Sequence, residues 1–217
     1  MLKNSVCFIV CAFLIALIST SVSAEQQKVL ILGDSISAGY GMDPELGWVN
    51  LLSVQLRDEN SVTLINASAS GETSSGGLAR LPALLSRHQP DVVVIELGGN
   101  DGLRGYSLKL MKQNLGALIR LSQDAGAEVL LFGMEIPPSY GARYARQFKQ
   151  VYPALAKAQA QGQKITLLPF YMQSIALNPE LMQADGIHPA ETAQGLIVDN
   201  VRPTLMTLLS TLSPVGV

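Results

Sequence analysis

The chain has only two cysteines in 217 residues, Cys7 and Cys11, and both fall inside an N-terminal apolar stretch. From Glu25 onward there is none, which excludes a disulfide framework, a thiol nucleophile and a cysteine metal site. Histidine is almost as scarce. His88 and His188 are the two present, and without cysteine partners they make a poor ligand set, so no metal is expected. Basic charge is in short supply as well: 15 Lys and Arg face 17 Asp and Glu, a formal net charge of −2. That balance argues against a basic footprint for nucleic acid or anionic lipid. Gly98-Gly99 lacks the spacing of a dinucleotide loop, and no Walker pattern occurs, so no cofactor is expected.

The leader is read before the fold. Lys3 and the amino terminus make a basic start, Val6 to Ile18 are uninterruptedly apolar, and Val22-Ser23-Ala24 offers small residues at the positions a signal peptidase reads. Cleavage is expected after Ala24. The alternative is an uncleaved anchor, but the apolar stretch is shorter than the roughly 20 residues a comfortable span needs. Cys11 lies within that stretch rather than after it, which does not fit lipoprotein attachment. Residues 1–24 are thus expected to be a cleaved signal peptide and 25–217 a single domain. That length supports one full core and is too short for two domains of ordinary size. An exported chain without cysteine is expected in the periplasm or beyond, as a monomer with no stable membrane insertion after cleavage.

Apolar runs alternate with helix-period stretches along the rest. Strands are expected at Val29–Leu32, Val62–Ile65, Val92–Leu97, Val129–Phe132 and Ile165–Leu168. They are continuous rather than alternating in polarity, as parallel strands covered on both faces are. Between them, Trp48, Leu51, Leu52 and Leu56 share a helix face, as do Leu78, Leu81, Leu84 and Leu85. Leu108, Met111, Leu115, Leu118 and Ile119 form a third stripe, and Tyr144, Phe148, Val151, Tyr152 and Leu155 a fourth. A last helix is expected from about Ala190 to Leu209, kinked or split at Pro203. His88 is expected to end a helix, and 213–217 to form a loose tail. Five strands interleaved with helices imply an α/β fold, a three-layer α/β/α sandwich around a parallel sheet.

Ligands of open parallel sheets bind beyond the carboxyl ends of the strands. The loops there carry Gly33-Asp34-Ser35, then Asn66 to Glu72 with Gly71, then Gly98-Gly99-Asn100-Asp101. Ser35, opening the first helix, is a candidate nucleophile. The segment Asp185-Gly186-Ile187-His188-Pro189 can supply a base, His188, and a carboxylate to orient it, Asp185. Acyl transfer also needs donors waiting for a tetrahedral oxyanion. The backbone N–H of Ser35, a glycine N–H and the Asn100 side chain are candidates. Each element has a plainer explanation: Gly-Asp-Ser as a helix cap, Gly71 and Gly-x-Asn-Asp as turns, Asp185 as a loop cap, His188 as a helix-entry residue. Together on one rim they point to a serine hydrolase. The Gly-x-Ser-x-Gly elbow is absent around Ser35, so this is not the α/β-hydrolase arrangement.

These residues carry a family resemblance. The chain resembles the SGNH hydrolases, also called GDSL esterases, through Ser35, Gly71, Asn100 and His188 with Asp185; Ile36 stands where leucine is usual. Ser74 to Pro82, Glu96 to Gly105 and Asp185 to Pro189 are similar to the bacterial periplasmic thioesterase/lysophospholipase/arylesterase branch. The resemblance implies a flavodoxin-like sheet of order 2-1-3-4-5. It also implies Ser35 as nucleophile, His188 as base then acid, Asp185 as orienter, and Ser35, Gly71 and Asn100 as the oxyanion hole. The substrate implied is a small-molecule acyl ester or thioester (aryl ester, acyl-CoA or lysophospholipid) cleaved through an acyl-enzyme. Asp34, Ser75, Gly76, Ile136 and Pro137 would shape the substrate site. Two other readings stand beside it: a carbohydrate O-deacetylase of the same fold, and a non-catalytic envelope binding module.

Overall fold

The computed structural model describes residues 26–60, 62–159 and 165–212. The signal peptide, its cleavage site and the tail 213–217 lie outside the described residues. Five parallel strands, β1 (Gln27–Gly33), β2 (Val62–Asn66), β3 (Val92–Glu96), β4 (Glu128–Phe132) and β5 (Ile165–Leu168), form one sheet in the order β2-β1-β3-β4-β5. The helices are α1 (Ser35–Ala38), α2 (Trp48–Asn60), α3 (Ser74–His88), α4 (Gly99–Leu103), α5 (Leu108–Asp124), α6 (Ala142–Lys149), α7 (Val151–Gln159), α8 (Gln173–Ala176) and α9 (Gln194–Leu212).

Successive strand side chains point to opposite faces, and here both faces are covered. Val29, Ile31, Val94 and Phe132 pack with Trp48 and Leu52 of α2 and Ile197 and Val201 of α9. Leu30, Leu32, Ile95 and Leu131 face the other way, toward Leu81 of α3, Leu118 of α5 and Tyr152 of α7. Double coverage is why the strands read as unbroken apolar runs. The chain leaves β1 toward β2 on one side and β3 on the other, so the β1 and β3 exits diverge. A crevice opens there, at the topological switch point.

Strand ends differ from the sequence expectation by one or two residues, and two helical stretches differ more. The third strand ends at Glu96, one residue before Leu97. The fourth apolar stripe is divided between α6 and α7, with Gln150 between them. Pro153 explains the break: it has no N–H to give the Lys149 carbonyl, and a fresh helix starting at Val151 puts it in a first turn, where none is needed. The last helix is not split at Pro203. It runs unbroken from Gln194 to Leu212, after a 3-10 turn at Glu191–Ala193. Pro203 and Asp199, whose carbonyl it leaves without its usual helical donor, are both exposed, on the side of the helix where such a carbonyl can be solvated. His88 does end α3.

Candidate active site

Asp34 follows β1 directly and caps α1, its Oδ1 accepting the Ile36 N–H at 3.1 Å. The cap fixes Ser35 as the first helical residue, where a backbone N–H has no intrahelical acceptor. The Ser35 N–H accordingly has no hydrogen-bond partner among the described residues. Its Oγ lies 2.8 Å from Nε2 of His188, 153 positions away in sequence. On the opposite side of the imidazole, Nδ1 is 2.6 Å from Oδ2 of Asp185. With the ring proton on Nδ1 and donated to Asp185, Nε2 is free to accept the Ser35 hydroxyl proton.

The Asp185–His188 loop is braced for this. Met182 bridges Pro189 in antiparallel fashion, the Gln183 N–H donates to the His188 carbonyl at 2.8 Å, and the Gln183 side chain donates to the Tyr40 carbonyl at 2.8 Å. Gly186, at φ +65°, supplies the left-handed turn that folds His188 back over Asp185. The Tyr40 ring lies 4.5 Å from the imidazole, centroid to centroid. Partial burial pushes the Asp185 carboxyl upward. The His188 N–H and ring and the Ile187 N–H, all hydrogen-bonded to it, outweigh that effect and hold it at about 2.

Asn100 stands in the first turn of α4, and its amide donates to Asp34 Oδ2 at 3.2 Å, which leaves its second amide hydrogen over. Burial pushes Asp34 up to about 6. The Ile36 N–H, the nearby His188 and the Asn100 amide oppose the rise, and Asp101 adds to it. Gly71 sits at φ +77° in the loop after β2. Its carbonyl accepts from Arg104 at 3.1 Å, while its N–H has no partner among the described residues.

Ser35, Asn100 and His188 open into a groove of about 840 Å³ whose walls include Leu103, Ile136, Pro137, Phe170, Met172 and Leu177. Asp34, Ile136 and Pro137, expected as substrate-shaping residues, are in this wall. Ser75 and Gly76 are not. They belong to the first turn of α3, where the Gly76 N–H bonds the Thr73 hydroxyl and the adjacent Ser74 is held by Asp101 at 2.6 Å and 2.8 Å. That turn is tied to α4 through Asp101. Among the described residues, no group of three or more His, Cys, Asp or Glu is placed to hold a metal.

Two carboxyl groups here drew no attention as functional residues in the sequence. Asp101 locks α4 to the start of α3. Glu96, fully buried at the end of β3, accepts the Asp34 N–H at 3.1 Å and the Ser37 hydroxyl at 2.7 Å. The only hint was an acidic residue ending a run of β-branched ones.

A parallel sheet in this order, with a serine, a histidine and an aspartate hydrogen-bonded in series at its carboxyl edge, defines a serine hydrolase built without a nucleophile elbow. Comparison with known proteins narrows the class. Residues 31–196 match the model of the GDSL-like lipase/acylhydrolase family, and the chain belongs to that family. It is 48% identical over 196 residues to Esterase TesA of Pseudomonas aeruginosa, covering 90% of this chain and 96% of that one. It is 44% identical over 198 residues to the Thioesterase 1/protease 1/lysophospholipase L1 of Escherichia coli K12, covering 91% and 92%. The crystal structure of the psychrotrophic esterase EstA from Pseudoalteromonas, inhibited by monoethylphosphonate, superposes with a TM-score of 0.80 at 44% identity, covering 85% of this chain and 99% of that one. The chain is an acyl-ester hydrolase of the serine type.

Proposed function

We propose that the chain is a periplasmic hydrolase of acyl esters and thioesters, acting through an acyl-enzyme on Ser35. The observation that carries this reading is the hydrogen-bonded series Ser35–His188–Asp185, at 2.8 Å and 2.6 Å. In the proposed cycle, His188 Nε2 takes the hydroxyl proton as Ser35 Oγ attacks the acyl carbon. Asp185 stabilises the imidazolium that results. The developing oxyanion meets the Ser35 N–H, the Gly71 N–H and the Asn100 amide; the two backbone donors are unpartnered among the described residues. The imidazolium then protonates the leaving alcohol or thiol. Water, deprotonated by the same nitrogen, releases the acid.

The apolar groove favours an acyl chain over a polar sugar, and the names of the relatives favour ester, thioester and lysophospholipid substrates. Removal of residues 1–24, a single working domain from residue 25 and action as a monomer belong to the same proposal. No helix among the described residues is long and apolar enough to cross a membrane.

The test is hydrolysis of p-nitrophenyl esters of graded acyl length and of an acyl-CoA, with Ser35→Ala run beside the parent. Medium chains should be turned over faster than acetyl, and the variant should lose on the order of 10⁴-fold or more in kcat. Activity confined to acetyl esters would favour the deacetylase. Turnover that survives Ser35→Ala would remove Ser35 as the nucleophile.

A further inference from the structure

Glu96 ends β3 at the register position beside Gly33 and has no solvent-exposed surface. A carboxyl group so placed must find its partners within the protein. All three lie around the nucleophile. Oε2 accepts both the Asp34 N–H at 3.1 Å and the Ser37 hydroxyl at 2.7 Å, and Oε1 is 3.2 Å from the Tyr171 hydroxyl. None of these partners is a cation, so the group is not here as half of an ion pair. The motif glycine belongs to the same arrangement. A Cβ at Gly33 would come within 2.5 Å of Glu96 Oε2 and 2.8 Å of Ser37 Oγ, so the carboxyl fills the space a side chain there would need.

We propose that Glu96 is a positioning residue for the nucleophile: from the end of β3 its carboxyl fixes the Asp34–Ser37 turn, and with it the reach of Ser35 to His188 and of Asp34 to Asn100. The turn has no other anchor at Asp34 N–H. Because the Asp34 carboxylate both caps Ile36 and receives the Asn100 amide, a turn that slips moves the attacking oxygen and an oxyanion donor together. Such losses of alignment are felt in the rate of the chemical step rather than in binding.

Burial, then the charge of Asp34, push Glu96 well above the ordinary carboxyl value of 4.5, against the hydrogen bonds from Ser37, Asp34 and Tyr171. Oε2 accepts the Asp34 N–H and the Ser37 hydroxyl, and Oε1 accepts the Tyr171 hydroxyl. Asp34 and Tyr171 are the titratable groups facing it. Tyr152 lies close enough to feel its charge, and His188 and Asp101 act on it through Asp34. A carboxyl raised on folding binds a proton that the unfolded chain has released. Its contribution to stability is therefore complete below about 4.5 and is lost as pH rises toward the folded value.

The inference rests on the serine-hydrolase reading. The experiment measures kcat and KM on p-nitrophenyl butyrate from about pH 5 to 9, with unfolding midpoints, for the parent, Glu96→Gln, Glu96→Ala and Ser37→Ala. Glutamine keeps the shape and one acceptor oxygen, which can still receive the Asp34 N–H and the Ser37 hydroxyl, while its amide takes the place of Oε1 beside Tyr171. Glu96→Gln should keep kcat within about threefold and flatten the fall of stability with rising pH. Glu96→Ala should lose about 10²-fold in kcat with KM within about twofold. Ser37→Ala, which leaves the Asp34 contact in place, should lose about tenfold in kcat, and decides the question if Glu96→Ala does not fold. A folded Glu96→Ala or Ser37→Ala with the parent kcat would overturn the proposal. So would a Glu96→Gln as impaired as Glu96→Ala. A parent that hydrolyses no ester overturns the underlying reading instead, and is told apart because the variants then have no activity to lose.

Discussion

A serine hydroxyl is a weak nucleophile until a base stands ready for its proton, and in the proposed mechanism that base is His188, 2.8 Å from Ser35 Oγ. Asp185 makes the arrangement durable. Against the rise that partial burial alone would bring, the hydrogen bonds from His188 and Ile187 hold its carboxyl at about 2. The sign follows: the carboxylate's support is in place above the ordinary value of 3.8 and is lost as pH falls toward 2. Asp185→Ala should lower kcat about 10³- to 10⁴-fold with KM nearly unchanged. Its thermal midpoint should fall only modestly, because the side chain is 39% exposed and its hydrogen bonds from Ile187 and His188 are local to one loop. Steady-state kinetics beside a melting curve checks this, and collapse of the fold would mean that Asp185 serves the loop rather than the imidazole. Ser35, Asp185 and His188 were legible in the sequence because each sits in a short motif whose spacing has mechanical meaning. Glu96 was not. Its burial and its bonds to Asp34 and Ser37 span 62 and 59 positions, and only the sheet brings them together.

At the scale of elements, the strands were readable because both faces of the sheet are covered, which removes the polar alternation that would blur them. Breaks and continuations of helices were harder, since proline has opposite consequences by position. Pro153 forces a restart because it would interrupt the body of a longer helix. Pro203 does not, since the carbonyl it orphans lies on the exposed side of the helix. Ser75 and Gly76, expected to shape the substrate site, do not line the groove: the first turn of α3 follows its cap and Asp101, and the sequence does not mark where that turn is held. Packing on the α5 side should be separable from chemistry. Leu118 is fully buried in the cluster that joins α5 to the sheet. Leu118→Ala should cost about 2–5 kcal/mol of stability, read by denaturant unfolding, while kcat at 25 °C stays within about twofold. A large loss of kcat in folded protein would show that the layer beneath the site governs its geometry.

Over the whole molecule, the order β2-β1-β3-β4-β5 determines where chemistry can occur. It parts the chain at β1 and β3, and the two exits there carry Ser35 and Asn100. The loop before α9 closes over the same edge and brings His188. The core clusters on the two sheet faces pack beneath these exits, and the groove is walled mainly by apolar side chains from the segments after β4 and β5. The proposed mechanism requires that Ser35 Oγ be the atom that is acylated. The most direct test treats the protein with an activated ethyl phosphonate ester and maps the adduct by peptide mass spectrometry, with turnover followed in parallel. The adduct should fall on Ser35, activity should vanish in step with labelling, and His188→Ala should label at least about 100-fold more slowly. An adduct on another residue, or full turnover by protein labelled at Ser35, would contradict the account.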